Sequence, residues 1–398
     1  MEHNKINVAV LFGGRSVEHE VSIISGLQAF HALDTEKYEP IPIYISKEGK
    51  WYSGDVLKEI KNYQDIPALL QQATPVYLSQ NYGEGLLHLE KKTSGGLFRQ
   101  KHETLTIPID VALPVTHGTN VEDGILQGVL DTAGIPYTCP GVLGSAVGMD
   151  KIMMKAVLKD AGLPVVPSHS FTAADWLENA GEVLRQIEEK LTYPMIVKPA
   201  NLGSSIGISR VGDHDALVEK IEFALTFSRR ILVERCVEPL REINCAVLGE
   251  PGDAITSLCE EPLNGKDILS FDDKYLSNSG ASKGMSSAKR QIPADIPAEM
   301  EALIRSYALK AFNALDFRGV CRVDFLVDVE DGEKVYVNEP NTIPGSLSFY
   351  LFEPSGLSFS QLLDRMIRIA LKAKRDADSL TRTYTSNILA QGGFKGKK

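Results

Sequence analysis

The chain opens on an apolar run, Ile6 to Phe12, that stops at Gly13-Gly14 and gives way from Ser16 to helical spacing, with Val21, Ile24 and Leu27 on one face. A strand delivered through a glycine turn into a helix constrains the chain to layered α/β packing. Glu18 and Glu20 fall in the expected first turn of that helix. Tyr38 to Ile45 and Asp110 to Val115 read as further short strands, so residues 1–140 are expected to form an open, mostly parallel sheet with helices. Between Ser46 and Pro108 the periodicity fades into polar stretches such as Ser79 to Gly85 and Glu90 to Glu103. That segment reads as a peripheral insertion whose role the pattern does not disclose.

With 398 residues and roughly 150 per domain, the chain has room for two or three domains. Asp150 caps an expected helix, Lys151 to Ala161, and a second helix runs from Ala173 to Lys190. Met195 to Pro199, the loop Asn201 to Gly207 and Ile208 to Val211 read as strand, loop and strand, backed by a helix from about Asp215 to Phe227. Further strands are expected at Arg230 to Glu234, Glu242 to Leu248, Val320 to Asp328 and Val335 to Pro340, where antiparallel pairing dominates. The expected divisions are 1–140, 141–230 and 231–375, with a polar tail at 376–398.

Composition excludes several classes of function. Lys plus Arg of 42 against Asp plus Glu of 52 gives a net charge of −10, a poor match for a nucleic-acid backbone. No apolar run approaches membrane-spanning length and the N-terminus lacks a signal peptide's apolar segment, so a cytoplasmic protein is expected. Cys139, Cys236, Cys245, Cys259 and Cys321 are scattered, as expected of reduced thiols that pack, and the histidines lack a zinc-binding pair.

The hairpin Val320 to Pro340 makes the most definite chemical claim. Period-two geometry puts Arg322 and Asp324 on one face, and a turn at Asp331-Gly332 sets Asp324 across from Asn338 or Glu339. Asp324, Glu339 and Asn341 then form either a hard-oxygen site suited to Mg²⁺ shared with phosphates, or a solvated sheet face with a surface ion pair. Lys198 precedes Gly203-Ser204-Ser205-Ile206-Gly207, which reads either as a phosphate cradle or as an ordinary turn. A Walker-type loop is absent and Gly13-Gly14 lacks the third glycine of a dinucleotide fingerprint, so nucleotide binding must use another architecture. The same loop matches G-x-S-x-G, but Ser205 is followed by an expected strand instead of a helix, and the only later histidine is His214, which disfavours a hydrolase. Glu234 and Glu242 are candidates for adenine and ribose contacts or plain surface carboxylates. Lys274 and Tyr275 lie in the polar stretch Ser270 to Ser286, a lid or a simple connection.

Taken in order, Gly13-Gly14 with S-V-E-H-E-V-S, H-G-T-N-V-E-D-G-x-L-Q-G, M-D-K, I-V-K-P, G-S-S-I-G, D-x-K-Y, R-V-D-F and N-E-P-N-T-I-P-G resemble the bacterial D-alanine:D-alanine ligases of the ATP-grasp superfamily, from Asn7 to about Lys372. The resemblance implies an ATP-grasp fold behind an N-terminal α/β domain, and a commonly homodimeric enzyme of peptidoglycan precursor synthesis. ATP phosphorylates one D-alanine, whose acyl phosphate is attacked by the amine of a second. It implies ATP and two Mg²⁺ ions, with Mn²⁺ able to substitute, held by Asp324, Glu339 and Asn341. Lys151, Lys198 and Lys274 face the phosphates beside Gly203, Ser204 and Ser205, with Glu234 and Glu242 on the nucleoside. By the same resemblance Glu18 holds the first ammonium, His117 lies beside the first carboxylate, and Arg322 with the Gly345 N–H stabilises the tetrahedral oxyanion. Ser204, Tyr275 and Glu18 tie the lid to the first substrate. Lys274-Tyr275 is the pair of dipeptide-forming members, whereas lactate-using relatives carry histidine in that lid. One departure stands out: Tyr350 occupies the position where the family usually has a serine for the second carboxylate. D-serine or D-lactate as second substrate is the alternative within the family, and a catalytically silent nucleotide-binding regulator the alternative outside it.

Overall fold

The structure is a computed structural model that describes residues 5–95, 99–203, 205–263, 290–383 and 386, the side chains of 90–104 excepted. Its strands fall into three sheets. The first has seven strands: β1 (Ile6–Gly13), β2 (Tyr38–Ile45), β3 (Trp51–Ser53), β4 (Thr74–Leu78), β5 (Leu86–Gly95), β6 (Arg99–Pro108) and β7 (Val111–Pro114), in the order β6-β5-β4-β3-β2-β1-β7. Only β1 with β2 and β1 with β7 run parallel. The stretch read as a peripheral insertion supplies β3 to β6, an antiparallel extension of the same sheet, so the sheet as a whole is mixed. From Glu90 to Lys92 and from Arg99 to Glu103 the two outermost strands are rich in charged residues, a composition by which an outer strand avoids pairing with other chains. The same composition hides these strands from a periodicity reading.

The helix after β1 runs His19–Ala32, later than the expected start at Ser16, and Glu18 occupies its N-cap position. Ser16 Oγ instead donates to the His117 carbonyl. Gly13 and Gly14 both have positive φ, and a side chain at Gly13 would meet the Ile45 carbonyl, so this tight crossing requires glycine.

The second sheet has the order β10-β9-β11-β8: β8 (Ser168–Thr172), β9 (Met195–Pro199), β10 (Ser209–Val211) and β11 (Arg230–Arg235), all antiparallel neighbours. The helix Lys151–Asp160 is capped by Asp150, which accepts from the N–H groups of Ile152 and Met153. The helix Ala173–Lys190 begins with a reciprocal Thr172–Asp175 capping box. The third sheet, β14-β13-β12-β15-β16, comprises β12 (Leu240–Glu250), β13 (Asp253–Pro262), β14 (Arg290–Gln291), β15 (Gly319–Asp328) and β16 (Lys334–Asn341). One face, with Ile243, Cys245, Val247, Val323 and Phe325, is buried with Ile304, Ala308 and Phe312 of the helix Ala298–Ala314. On the other face, Ala246, Leu248 and Val320 share a core with the first sheet and with Leu362, Leu363, Met366 and Ile367 of the helix Phe359–Asp378. That helix takes in Asp376 to Asp378, the first residues of the expected polar tail. The shared core joins the first and third sheets.

Candidate functional site

Across the third sheet, Glu260 pairs with Asn244, Asn244 with Asp324, and Asp324 with Glu339. Residues opposite one another in register project to the same face, so these four form one polar row. Arg322 lies opposite Asn341 one step along the same face. An irregularity between Asp324 and Phe325 takes up one residue of β16, so Glu339 rather than Asn338 faces Asp324. Arg322 grips Asp324 with two parallel bonds, Nε to Oδ1 at 2.6 Å and Nη2 to Oδ2 at 2.8 Å, and Asn341 Nδ2 donates to Asp324 Oδ2 at 3.0 Å. Burial opposes charge on Arg322, but the Asp324 carboxylate outweighs it and holds the guanidinium pKa well above its usual value.

Asp324, Glu339 and Asn341 are thus brought together as expected. Among the described residues no group of three or more His, Cys, Asp or Glu side chains is arranged to hold a metal. The donors here are two carboxylates and an amide oxygen, all hard. They fit a small divalent ion that completes its shell with non-protein oxygens, as Mg²⁺ does on phosphates.

Cations approach this row from the helix Lys151–Asp160 and from β9 of the second sheet. Lys151 Nζ lies 3.2 Å from Glu339 Oε2 and donates to the Leu202 carbonyl at 2.8 Å. Lys198 Nζ lies 2.5 Å from Glu234 Oε2 and reaches Asn338 Oδ1 at 3.5 Å. Lys155, which the motif reading passed over, lies 2.5 Å from Glu234 Oε1. Its signal was its spacing, four residues beyond Lys151 on one helix and therefore on the same side. The Glu234 carboxylate thus lies between two lysines. Burial resists its ionisation, but the two ammonium groups prevail and hold its pKa at about 2. Burial likewise works against charge on Lys198, and Glu234 and Glu339 reverse it, raising the pKa. Glu242, on the same face as Asn244 and two residues from it, is half-buried.

At the mouth of the first sheet, buried Glu18 lies between two glycine loops: a side chain at Gly118 would come within 2.9 Å of Glu18 Oε2, and one at Gly203 within 3.5 Å. His117 Nδ1 faces the Ile343 carbonyl at 2.8 Å and must donate to it; Nε2 then accepts from Ser25 Oγ at 3.1 Å. Burial lowers the His117 pKa, with Glu18 acting in the opposite direction, so the ring is neutral. Ser25 Oγ in turn accepts from the Ser346 N–H. Glu122, also missed although it stands within the quoted H-G-T-N-V-E-D-G, accepts from the N–H groups of Gly118 (2.7 Å) and Ile343 (3.0 Å) and from the Thr342 hydroxyl (3.3 Å). Desolvation and then the Glu18 charge push its pKa up to about 8.

These bonds hold the turn that begins at Gly345. Ser346, Leu347 and Ser348 all have φ near +50°, a left-handed run costing roughly 1–2 kcal/mol per residue. Ser346 N–H to Ser25, Ser346 Oγ to Gln28 and Leu347 N–H to the Pro344 carbonyl over-determine it. Gly345 is thereby fixed against β15, which carries Arg322. Tyr350, just beyond, is buried, with Arg290 over its ring. In the glycine loop Ser205 and Gly207 take positive φ, and a strand follows, as the rejection of a nucleophile elbow required. Ser204, Lys274 and Tyr275 lie outside the described residues.

Residues 7–140 match the family model "D-ala D-ala ligase N-terminus" and residues 157–368 the model "D-ala D-ala ligase C-terminus". A D-alanine–D-alanine ligase of Chlorobium phaeovibrioides is 40% identical over 377 residues, 94% of this chain and 99% of that protein. Among solved structures, the D-alanine-D-alanine ligase from Coxiella burnetii is 30% identical with a TM-score of 0.77, covering 98% of this chain and 100% of that one. The VanG D-Ala:D-Ser ligase from Enterococcus faecalis is 32% identical with a TM-score of 0.75, covering 92% and 100%. Matched in both halves and along nearly its full length, the chain belongs to the D-alanine–D-alanine ligase family, with its α/β ATP-grasp fold.

Proposed function

We propose that the chain joins two D-alanines at the expense of ATP, through a D-alanyl phosphate, and the observation that carries the reading is the Glu339–Asp324 row with Arg322 beside it and Lys151 and Lys198 facing it. ATP lies between the second and third sheets, its phosphates met by Lys151, Lys198 and, from outside the described residues, Lys274 with Ser204. Glu234 keeps Lys198 charged and in place, and Glu242 meets the ribose. A divalent cation held by Asp324, Glu339 and the Asn341 amide oxygen supplies further neutralisation of phosphate charge. Glu18 binds the ammonium of the first D-alanine beside His117, which stays neutral and positions the Ile343–Ser346 turn. Arg322 and the Gly345 N–H receive the oxyanion that forms when the second amine attacks. A cytoplasmic homodimer, with the lid closed over the first substrate by Tyr275, completes the reading. Among the described residues no helix is long and apolar enough to cross a membrane.

The test is phosphate release from Mg-ATP and chromatography of products with D-alanine alone and with D-serine or D-lactate added. D-alanyl-D-alanine as the main product supports the reading, whereas a mixed product made in preference reassigns the second subsite. D-serine is the second reading, favoured by Tyr350 in place of a small hydroxyl residue and by the likeness to a D-Ala:D-Ser ligase. Arg322→Ala is expected to lower turnover about 10²- to 10³-fold, as the loss of one oxyanion donor does. Turnover within threefold of wild type would remove Arg322 from the chemistry.

A further inference from the structure

Lys155 carries a charge into the interior with one group there to receive it. Its ammonium lies 2.5 Å from Glu234 Oε1, the one partner that the described residues give it. Lys198 takes the other oxygen of the same carboxylate, 2.5 Å from Oε2, and also reaches Asn338 Oδ1 at 3.5 Å. All three side chains are buried, that of Glu234 only 2% exposed. Burying such charges stabilises a fold little or not at all relative to apolar residues of similar size. The cluster is also unbalanced, because two ammonium groups against one carboxylate leave one positive charge.

The elements that carry the two lysines give them different reach. Lys198 of β9 stands opposite Leu232 in register, and Leu232 and Glu234 are two residues apart on β11, so Lys198 and Glu234 share a face of the second sheet. Lys155 reaches that face from the helix Lys151–Asp160, about one turn beyond Lys151. The start of this helix is tied to the sheet, where the Lys151 N–H donates to the Ala200 carbonyl at 2.7 Å and Arg230 of β11 pairs with Asp150. Lys155 is thereby set over Glu234, whereas Lys198 and Lys151 extend to Asn338 and Glu339 of the third sheet.

Stripping a carboxylate this deeply buried of its counter-charge is strongly unfavourable. Were Lys198 the sole partner of Glu234, any movement towards a phosphate would leave the carboxylate bare, and the pair would hold the lysine back. Burial lowers the Lys155 pKa, Glu234 opposes that effect and Lys198 adds to it. The two lysines therefore compete for one carboxylate, and when one gains a second anion Glu234 falls to the other.

We propose that Lys155 is a positioning residue for ATP: it takes over the Glu234 charge and so releases Lys198 to the phosphates. The proposal rests on the ATP site of the ligase reading above. Lys155 itself touches no substrate.

The experiment measures MgATP affinity by calorimetry, and KM and kcat by phosphate release with D-alanine, for wild type and for Lys155→Met and Lys198→Met, each alone and with Glu234→Gln. If wild type binds MgATP but makes no dipeptide, the ligase reading fails and the affinities still judge Lys155. If it binds no MgATP, both fall. Lys155→Met is expected to weaken MgATP binding and raise its KM about 10- to 100-fold, with little change in kcat at saturating MgATP. Adding Glu234→Gln restores the surplus positive charge and should recover most of that loss. The same addition must not rescue Lys198→Met, because Lys198 meets the phosphates itself. A merely structural Lys155 leaves the MgATP affinity of the folded variant unchanged, or loses affinity that Glu234→Gln does not return. Either result overturns the proposal, as does equal rescue of both lysine variants. Should Lys155→Met fail to fold, the two double variants decide. MgATP must bind to the one that keeps Lys198 in preference to the one that keeps Lys155, and the reverse order or equal affinity overturns the proposal.

Discussion

Glu234 and Glu122 are the same side chain drawn out of water at two places, and they end in opposite charge states. Glu234, in β11, lies between Lys155 and Lys198 and is held at about 2. Glu122, in the loop after β7, accepts from two backbone N–H groups and a hydroxyl but faces the Glu18 charge, and rises to about 8. Desolvation is the largest influence on both and raises both. The full charges nearby decide the outcome, because two ammonium ions exceed the desolvation penalty whereas neutral donors opposed by a carboxylate do not. One region is built to hold positive charge where a triphosphate would lie, and the other to join two chain segments without adding negative charge beside Glu18.

The largest effect is expected from Glu234→Ala, which leaves two ammonium ions buried without their shared counter-charge. Breaking a buried ion pair in this way typically costs about 3–5 kcal/mol, readable as a fall in the urea midpoint. Replacing Glu234 by Leu together with Lys155 by Met removes charge from both sides and should recover at least half of the loss. If Glu234→Ala unfolds at the wild-type midpoint, the charge cluster carries none of the stability assigned to it.

The two carboxyls also predict pH dependences of opposite sign. The folded pKa of Glu234 is depressed from 4.5, so its contribution is present above pH 4.5 and is lost as pH falls towards about 2. That of Glu122 is raised from 4.5, so its contribution is complete below pH 4.5 and is lost as pH rises towards about 8. Glu122→Gln cannot titrate. The stability difference between wild type and Glu122→Gln should therefore shrink steadily from pH 5 to pH 8 in urea titrations. A difference that stays level or widens means that Glu122 is ionised in the folded protein and that the contrast with Glu234 is false.

How much of this was legible in the sequence follows from the range of the interactions. Local signals placed β2 at Tyr38–Ile45, β9 at Met195–Pro199 and the helix Ala173–Lys190 at the residues where they stand. Period-two spacing and one turn set Asp324 beside Glu339 because the hairpin is short. The left-handed run at 346–348 escaped because Ser346, Leu347 and Ser348 carry no glycine to announce it. It is held by Ser25 and Gln28, more than 300 residues away in the chain. Glu122 stood in a recognised motif, but its chemistry depends on Ile343 and on Glu18, which only the folded chain supplies.

The smallest effect sharpens the contrast most. Thr342→Val keeps the buried shape and removes one hydroxyl, 3.3 Å from Glu122 Oε1. A long, neutral hydrogen bond of this kind contributes no more than about 1 kcal/mol, so the urea midpoint should hardly move at pH 5. The hydroxyl donates to the carboxylate and so favours its ionised form. Its loss must raise the Glu122 pKa further and carry the stability decline of this carboxyl to higher pH. A decline displaced to lower pH would mean that the Thr342 hydroxyl accepts from a protonated Glu122 instead of donating to it. Opposition by Glu18 would then be strong enough to reverse the direction of the bond, and the Glu122 region would differ from the Glu234 cluster in hydrogen-bond polarity as well as in charge.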